Sequence, residues 1–99
     1  MIEYRFGDVN FSWDERKATI NRKKHGVTFE EAATVFADPL ARVYDDPDHS
    51  THEHRFLLVG HSLVGRILLV VHAEIGDTIR LISARKPTPR EREDFKQNA

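Results

Sequence analysis

The sequence predicts a single α+β domain in which two N-terminal helices and one C-terminal helix pack on a small antiparallel sheet. Apolar residues recur at helical spacing in the first part of the chain, and a capped helix start lies near its end. Between them, three stretches rich in Val, Leu and Ile follow one another with short turns, which is typical of a β-meander. The 99 residues fit one domain over positions 1–99, because domains usually hold roughly 100–150 residues.

The first part of the chain predicts strands followed by a short basic helix. Aromatic and aliphatic residues alternate with polar ones over residues 2–6 and 11–13, which predicts a strand or a hairpin. Asp14 is a suitable N-cap for a helix over residues 15–24. Gly26 then supplies the left-handed residue that commonly ends a helix.

Capping motifs predict two further helices. Thr28 followed by Glu31 is the pattern of a capping box, in which each side chain bonds the backbone N–H of the other residue. The same pattern at Thr88 and Glu91 predicts the C-terminal helix. The Asp-Pro pair at 38–39 predicts the end of the earlier helix. Apolar residues at helical spacing predict its buried stripe, namely Phe29, Ala32, Ala33 and Phe36.

The sheet is predicted mainly from the second half of the chain. A short strand is expected at 42–45, followed by a turn at 46–48. Three longer strands are expected at 55–61, 66–74 and 78–85, each separated from the next by a short turn. Short connections between consecutive strands imply antiparallel pairing, so these strands are expected to form a meander.

Composition indicates where the protein works. The chain has no cysteine, which excludes disulfides and thiolate metal sites and fits a reducing compartment. The first residues lack the apolar core of a signal peptide, and no apolar run approaches the roughly 20 residues that a membrane span needs. We therefore expect a cytoplasmic protein with no membrane partner.

Charge is unevenly distributed along the chain, although the net charge is only −1. Residues 1–27 hold six Lys or Arg against four Asp or Glu, residues 28–54 hold one against seven, and residues 55–99 hold eight against five. Basic flanks around an acidic middle allow one face to meet phosphates while another faces elsewhere. A mixed, solvated surface is the alternative that charge alone leaves open.

Two arginines at predicted strand ends give the first indication of a phosphate site. Arg66 opens one strand and Arg85 ends the next, so antiparallel pairing places both at one end of the sheet. Two guanidiniums repel each other unless an anion lies between them, and a phosphate accepts their paired N–H donors. Arg55 begins at the opposite end if the strands are equally long. The alternative is that each arginine pairs with a carboxylate of the acidic segment, namely Asp45, Asp46, Asp48 or Glu53.

Histidines are the other candidates for chemistry, and three of the six lie close together, at His49, His52 and His54. Their spacing matches no recognised metal motif and no second ligand group follows, so we expect a solvated loop, with no metal and no cofactor. His25 ends the basic helix, where a histidine can cap the helix, contact a phosphate or transfer a proton.

Short motifs run in a fixed order through residues 11–92. The early ones are Phe11-x-Trp13-Asp14, Lys24-His25-Gly26-Val27 and Phe29-Glu30-Glu31-Ala32. The later ones are Glu53-x-Arg55, Gly65-Arg66 and Ile82-Ser83-Ala84-Arg85-Lys86. Taken together, the motifs resemble the BrnT family of ribonuclease toxins. Residues 1–10 have no counterpart among them.

The resemblance implies a RelE-like fold and a toxin that cleaves RNA and inhibits translation. It also implies neutralisation by a cognate antitoxin with a ribbon-helix-helix DNA-binding part, and repression of operator DNA by the complex of the two. Among the residues that match the family, the basic ones are the first candidates for the site: Lys17, Lys24, Arg66 and Arg85.

The chain lacks thiols and a metal motif, so we expect RNA cleavage with the substrate's own 2′-OH as nucleophile. Arg66 and Arg85 are the candidates for stabilising the charged transition state. Glu53 or His25 is the candidate base and Lys24 a candidate proton donor, unless the protein acts only by orienting RNA. Further RNA contacts are expected from Lys17, Asn21, Lys24, Arg55 and Lys86.

Two functions of other classes stay open at this point. The same basic residues would serve a non-catalytic nucleic-acid-binding module, which grips phosphates without cleaving them. The acidic middle segment would serve a protein-interaction module with a basic partner. Cleavage of RNA, binding without cleavage, and no binding of nucleic acid distinguish the three functions.

Overall fold

The computed structural model describes residues 1–46 and 54–98, which form one six-stranded sheet and three α-helices. The strands are β1 (Ile2–Phe6), β2 (Val9–Trp13), β3 (Arg42–Asp45), β4 (Phe56–His61), β5 (Ile67–Ile75) and β6 (Thr78–Arg85). The helices are α1 (Glu15–His25), α2 (Phe29–Thr34) and α3 (Pro89–Gln97), and a turn of 3-10 helix, Val35–Ala37, continues α2. No helix among these residues is long and apolar enough to span a bilayer.

The strand order is β1-β2-β6-β5-β4-β3, and the sheet is mixed. The strands β3 to β6 form the predicted antiparallel meander. β1 and β2 form a hairpin, and β2 then runs parallel to β6, with Phe11 opposite Ile79. The prediction of a purely antiparallel sheet is therefore wrong where β2 pairs with β6. The two helices predicted as N-terminal are also preceded by two strands of the sheet, β1 and β2. β2 and β6 are far apart in sequence, so no local turn pattern indicates their pairing.

The basic helix α1 begins and ends where the sequence predicts. The Asp14 carboxylate accepts the backbone N–H groups of Arg16 at 2.8 Å and Lys17 at 3.1 Å, which caps the helix. At the other end, Gly26 adopts the left-handed conformation with φ of 69°. These caps are contacts between near neighbours in sequence, so they can be predicted without knowledge of the tertiary packing.

The cap of α2 differs from the predicted one. The Thr28 hydroxyl accepts the Glu31 N–H at 3.1 Å, as expected. The Glu31 carboxylate does not return to Thr28 but accepts hydrogen bonds from Ser62 and Arg66. The predicted capping box is therefore only half right, because a tertiary partner displaces the local one. By contrast, the capping box predicted at the start of α3 forms in full.

The main core lies between the sheet and the helices α1 and α2. The Trp13 ring meets the Phe29 ring edge to face at a centroid distance of 5.7 Å, and Phe11 meets Phe36 at 5.1 Å. Ala32 and Ala33 of α2 are fully buried, and their small side chains let the helix approach the sheet closely. Burial of each large side chain contributes about 1.5–3 kcal/mol, which makes this face the principal source of stability.

The helix α3 packs on the opposite face of the sheet. Leu58 and Leu68 belong to the main core, whereas their neighbours Val59 and Leu69 contact Phe95 of α3. This follows from the alternation of side chains along a strand. Val59 lies near the end of β4 and Leu69 near the start of β5, so α3 lies over that end of the sheet.

Candidate active site

Arg66 directly precedes β5 and is held by Glu31 of α2. Its Nε and Nη2 donate to the two carboxylate oxygens of Glu31 at 2.8 and 2.7 Å, and Nη2 also donates to the Gly26 carbonyl at 2.9 Å. The Ser62 hydroxyl donates to the same carboxylate at 2.8 Å. The hydrogen bonds from Arg66 are the main cause that lowers the pKa of Glu31, and the bond from Ser62 lowers it further. Burial raises this pKa, but the net result lies below the ordinary value. The pair stays ionised, and the guanidinium is fixed in one orientation.

Arg85, at the end of β6, makes an equivalent pair with Glu91 of α3. Its Nη1 and Nη2 donate to the Glu91 oxygens at 2.8 and 3.0 Å, and Nη1 also donates to the Lys86 carbonyl at 3.2 Å. The hydrogen bonds from Arg85 are the main cause that lowers the pKa of Glu91 to about 2. Both arginines thus pair with carboxylates, namely Glu31 and Glu91, which were not among the partners considered from the sequence.

Strand register places the two arginines at the same end of the sheet. Arg85 lies opposite Leu69, three residues after Arg66. At the same end, His61 closes β4 opposite Ile67. This agrees with the placement expected from an antiparallel meander. Arg66 lines the cleft that opens there, whereas Arg85 is tied to α3 and does not line it.

A cleft of about 510 Å³ opens at this end of the sheet, and we call it the cationic cleft. Four cations line it, namely Arg66, Lys86, Arg92 and Lys96. The other lining residues are His61, Gly65, Ile67 and Pro87, so no carboxylate is among the described residues that line it. Clustered charges of one sign over low-dielectric walls concentrate ions of the opposite sign, so the cleft is suited to phosphate groups.

Two of the four cations, Arg66 and Lys86, are candidates from the sequence, whereas Arg92 and Lys96 of α3 are not. Residues four apart lie on the same side of a helix, so these two side chains reach the cleft together. A basic pair at this spacing on a predicted helix, shortly after Lys86, was the signal available in the sequence.

A larger cavity, of about 740 Å³, lies beside β1, β2 and β6. Its charged lining mixes Arg5 and Arg80 with Glu3 and Asp77, so the charges of opposite sign offset each other. None of the predicted site residues that the structure describes lines it. We therefore place the candidate active site in the cationic cleft.

An aspartate–histidine pair lies at the cationic cleft. Asp38 Oδ2 accepts the backbone N–H of His61 at 2.6 Å and lies 3.0 Å from its ring Nδ1, while Oδ1 accepts the Leu40 N–H at 2.9 Å. Burial raises the pKa of Asp38, but the hydrogen bonds from His61 and Leu40 together bring it below its ordinary value. From the sequence, Asp38 indicates only the end of a helix and His61 has no predicted role, since no local motif joins the two residues.

The predicted residues of the basic helix line a different surface, which we call the α1 groove. Lys17, Lys24 and His25 border this shallow groove of about 190 Å³ between α1 and β6. The groove and the cationic cleft share no described lining residue. The hydrogen bond from Arg66 to the Gly26 carbonyl links the end of α1 to the cleft. The structure thus divides the predicted basic residues between two surfaces.

Asn21 attaches α1 to the sheet. Its amide donates to the carbonyls of Val27 at 3.0 Å and Ala84 at 2.8 Å, and its oxygen accepts the Ala84 N–H at 3.0 Å. The residue is only 5% exposed. Both amide hydrogens and the oxygen are thus bonded to the backbone, so the geometry gives no support to the predicted contact with RNA.

Arg55 does not reach the cleft. It directly precedes β4, whereas His61 ends that strand at the cleft. The six residues of β4 span roughly 20 Å, so Arg55 lies at the opposite end of the sheet, as the sequence suggested. Outside the described residues lie the candidate base Glu53, most of the predicted turn, and the histidines His49 and His52. Among residues 1–46 and 54–98, no group of three or more His, Asp or Glu is arranged to hold a metal ion.

Comparisons with known proteins agree with this architecture. The family model described as "Ribonuclease toxin, BrnT, of type II toxin-antitoxin system" matches residues 13–91, most of the chain. The crystal structure of the Brucella abortus ribonuclease toxin BrnT is similar, with a TM-score of 0.59 and 24% sequence identity over 77% of this chain and 92% of that one. No curated protein matches the sequence. The structural likeness shows a shared α+β fold.

Proposed function

Because this chain belongs to the BrnT family of ribonuclease toxins of type II toxin–antitoxin systems, we propose that it cleaves RNA in the cationic cleft without a metal ion. Membership in the family assigns the chain a ribonuclease activity, an RNA substrate and an antitoxin partner. The site of cleavage is placed in the cleft because four cations and no carboxylate are among the described residues that line it. RNA is a polyanion, and its phosphates are drawn to such a cleft.

Arg66 is the proposed stabiliser of the transition state. A guanidinium has five N–H groups, and three of those on Arg66 donate to Glu31 and Gly26. The two on Nη1 have no hydrogen-bond partner among the residues that the structure describes. They are therefore available to a phosphate in the cleft. Since Glu31 already fixes the guanidinium plane, little conformational freedom is lost when that phosphate binds.

In the proposed reaction, the 2′-oxygen of the substrate attacks the adjacent phosphorus and the bond to the 5′-oxygen breaks. The products are a 2′,3′-cyclic phosphate and a 5′-hydroxyl end. Negative charge grows on the phosphoryl oxygens during the attack, and fixed cations stabilise that charge more than the charge of the bound substrate. The cations of the cleft thereby take the charge-stabilising part that metal ions play in other nucleases.

The cellular role is part of the same proposal and is supported by family membership. Cleavage of RNA stops translation in the cytoplasm, where the substrate is. The antitoxin of the pair carries a ribbon-helix-helix DNA-binding part, and the complex of toxin and antitoxin represses its own operator DNA. We also propose that the fold is RelE-like, as the family resemblance implies.

The test is cleavage of a synthetic RNA in the presence of EDTA by the purified wild type and by Lys86→Ala/Lys96→Ala. Both lysines are exposed, so their truncation removes charge without opening the core. We expect the double variant to lose most of its cleavage activity. We also expect weaker RNA binding, with a log–log salt slope reduced by about 1.4 if each lysine contacts one phosphate.

The matched control is Arg16→Ala/Lys23→Ala, which removes the same charge from exposed positions that line neither the cationic cleft nor the α1 groove. This variant is expected to cleave as the wild type does. Wild-type cleavage by Lys86→Ala/Lys96→Ala would contradict the location of the site. Loss of wild-type cleavage in EDTA would contradict metal independence.

A further inference from the structure

The Asp38–His61 pair leaves one ring nitrogen of the histidine for a ligand. Asp38 Oδ2 lies 3.0 Å from Nδ1 and also accepts the backbone N–H of His61. The Phe95 ring contacts the imidazole at a centroid distance of 5.6 Å and limits its rotation. A carboxylate accepts but does not donate, so the neutral ring carries its proton on Nδ1 and its free lone pair on Nε2. The ring is 45% exposed, whereas the Asp38 side chain behind it is only 8% exposed.

Gly60, directly before His61, allows Asp38 to approach this closely. A Cβ at position 60 would lie 3.0 Å from Asp38 Oδ2 and 2.7 Å from the Ala41 Cβ. The second separation is too short for two carbon atoms, so any side chain here would push the segment that carries Asp38 away from β4. The contact between Asp38 and His61 therefore depends on a glycine at position 60. An exposed ion pair on a protein surface does not usually require a particular neighbouring residue.

His61 differs from the other histidines that the structure describes. His25 borders the α1 groove, and His54 pairs with the exposed Asp45 at the far end of β4. His72 is only 3% exposed. His61 alone among these described histidines lines the cationic cleft. A base for the 2′-OH has to lie beside the phosphate that is attacked, and of these four rings only His61 meets that condition.

We propose that His61 is the catalytic base that accepts the 2′-OH proton of RNA, and that Asp38 is the positioning residue that holds it. The inference rests on the proposed cleavage of RNA in the cationic cleft. His61 Nε2 takes the 2′-OH proton while the 2′-oxygen bonds to phosphorus. The 5′-oxygen leaves with a proton from water. His61 then gives its proton to the hydroxide so formed, which restores the starting state and balances the reaction.

A protonated His61 ring carries a proton on Nε2 and cannot accept the 2′-OH proton. The rate of cleavage is therefore expected to fall on the acid side of its pH profile. The charged groups that face the ring are the Asp38 carboxylate and the cations of the cleft, namely Arg66, Lys86, Arg92 and Lys96.

The experiment measures kcat/KM against pH for the wild type, His61→Gln and Asp38→Asn on one synthetic RNA. Affinity for the 2′-deoxy analogue, which cannot react, is measured in parallel. We expect His61→Gln to lower kcat/KM by about 10²–10⁴-fold, as loss of a general base does, with unchanged affinity for the analogue. His61 is half exposed, so this substitution does not open the core.

Asp38→Asn separates a positioning role from a purely structural one. Asparagine keeps one oxygen for the His61 N–H groups but removes the negative charge and the oxygen that accepts the Leu40 N–H. We expect a lower kcat, with little change in KM and in affinity for the 2′-deoxy analogue. A structural role alone would lower the unfolding temperature without this selective loss of kcat, which would overturn the part assigned to Asp38.

His54→Gln is the matched control, because His54 Nε2 lies 3.0 Å from Asp45 in a pair of the same spacing outside the cleft. It is expected to cleave as the wild type does. A folded His61→Gln protein with the wild-type rate and pH profile would overturn the inference. If His61→Gln cleaves normally but Lys86→Ala/Lys96→Ala loses most of its activity, RNA is still cleaved in the cationic cleft and only the role of His61 is wrong. If both variants cleave normally, the cleft as the site of cleavage and His61 as the base are both wrong.

Discussion

The cationic cleft and the α1 groove are both bordered by basic residues, yet they are assembled differently. The cations of the cleft come from the start of β5, from the segment after β6 and from α3. In the groove, Lys17, Lys24 and His25 all come from one helix. A pattern within one helix is visible in the sequence, whereas the cleft exists only once distant segments have come together.

The two surfaces also differ in that the cleft contains one firmly held cation. Arg66 is fixed by Glu31 and by the Gly26 carbonyl, whereas Lys86 and Lys96 of the cleft are exposed. Lys17 and Lys24 are exposed, and their side chains make no hydrogen bond to the residues that the structure describes. Fixed cations stabilise developing charge, whereas mobile ones mainly attract the phosphate backbone. We therefore expect the fixed Arg66 of the cleft to act on the rate of cleavage, and the cations of the groove, which lie away from the cleft, to act on RNA binding.

The largest effect is expected from Arg66→Ala. It removes the fixed guanidinium and leaves the Glu31 carboxylate, which is 11% exposed, with Ser62 as its remaining described partner. We expect cleavage to fall below detection and the free energy of unfolding to drop by about 1.5–3 kcal/mol, as for hydrogen bonds to charged groups. RNA cleavage and urea unfolding measure the two losses. An Arg66→Ala protein that cleaves at the wild-type rate would place the chemistry outside the cleft.

A smaller, more selective effect is expected from Lys17→Ala/Lys24→Ala. Loss of these exposed cations should raise KM for RNA several-fold and leave kcat near the wild-type value, because they attract the substrate without contacting the reacting phosphate. Lys86→Ala/Lys96→Ala is expected to lower kcat in the same steady-state assay, because both lysines line the cleft in which the phosphate reacts. The opposite pattern, with kcat lost from the groove variant, would make the α1 groove the site of chemistry.

Gly60→Ala tests the geometry at the edge of the cleft. The added methyl group meets the Ala41 Cβ, so the segment that carries Asp38 must shift. We expect a loss of about 1–3 kcal/mol in the free energy of unfolding, as for overpacked sites, together with a lower kcat. Thermal unfolding and cleavage assays report the two effects. A fully stable and active variant would show that the close approach of Asp38 is unimportant.

The smallest effect concerns the stability that Glu91 adds through Arg85. The folded-state pKa of Glu91, about 2, lies below its ordinary value of 4.5, so its contribution is complete above pH 4.5 and is lost as the pH falls toward 2. Both side chains are about one-third exposed, so the contribution is at most about 1 kcal/mol. Stability of Glu91→Gln should fall less steeply over this pH range than that of the wild type. Equal slopes in chemical unfolding would contradict the pairing.

The same pair bears on the predicted catalytic role of Arg85. Arg85 is engaged by Glu91 and does not line the cleft, so its place in the site stays a prediction. Arg85→Ala assayed for cleavage decides the question, since a fully active variant would leave Arg85 with a structural role.

Most of the fold could be predicted because its signals are local. Asp14 and Gly26 mark the ends of α1, and the pattern at Thr88 marks the start of α3, through contacts within one turn of the chain. The parallel pairing of β2 with β6 could not be predicted in this way, because it joins segments from opposite ends of the sequence. Glu31 shows the same limit, since its local pattern indicated a cap but its carboxylate binds Arg66.

The candidate site was predicted less completely, for the same physical reason. Arg66 and Lys86 were identified from strand ends and from the family resemblance. Asp38 and His61 were not, because they are 23 residues apart and meet only when the end of α2 packs beside the end of β4. An isolated histidine in a strand carries no sign of its partner in the sequence.

The most direct test of the cleft as the RNA site is a nuclear magnetic resonance titration of the wild-type protein with a 2′-deoxy oligonucleotide, which binds without being cleaved. The account predicts that the largest backbone amide shifts fall on residues of the cationic cleft, such as Gly65, Arg66, Lys86 and Arg92. Shifts confined to the α1 groove, at Lys17, Lys24 and Ser83, would contradict it.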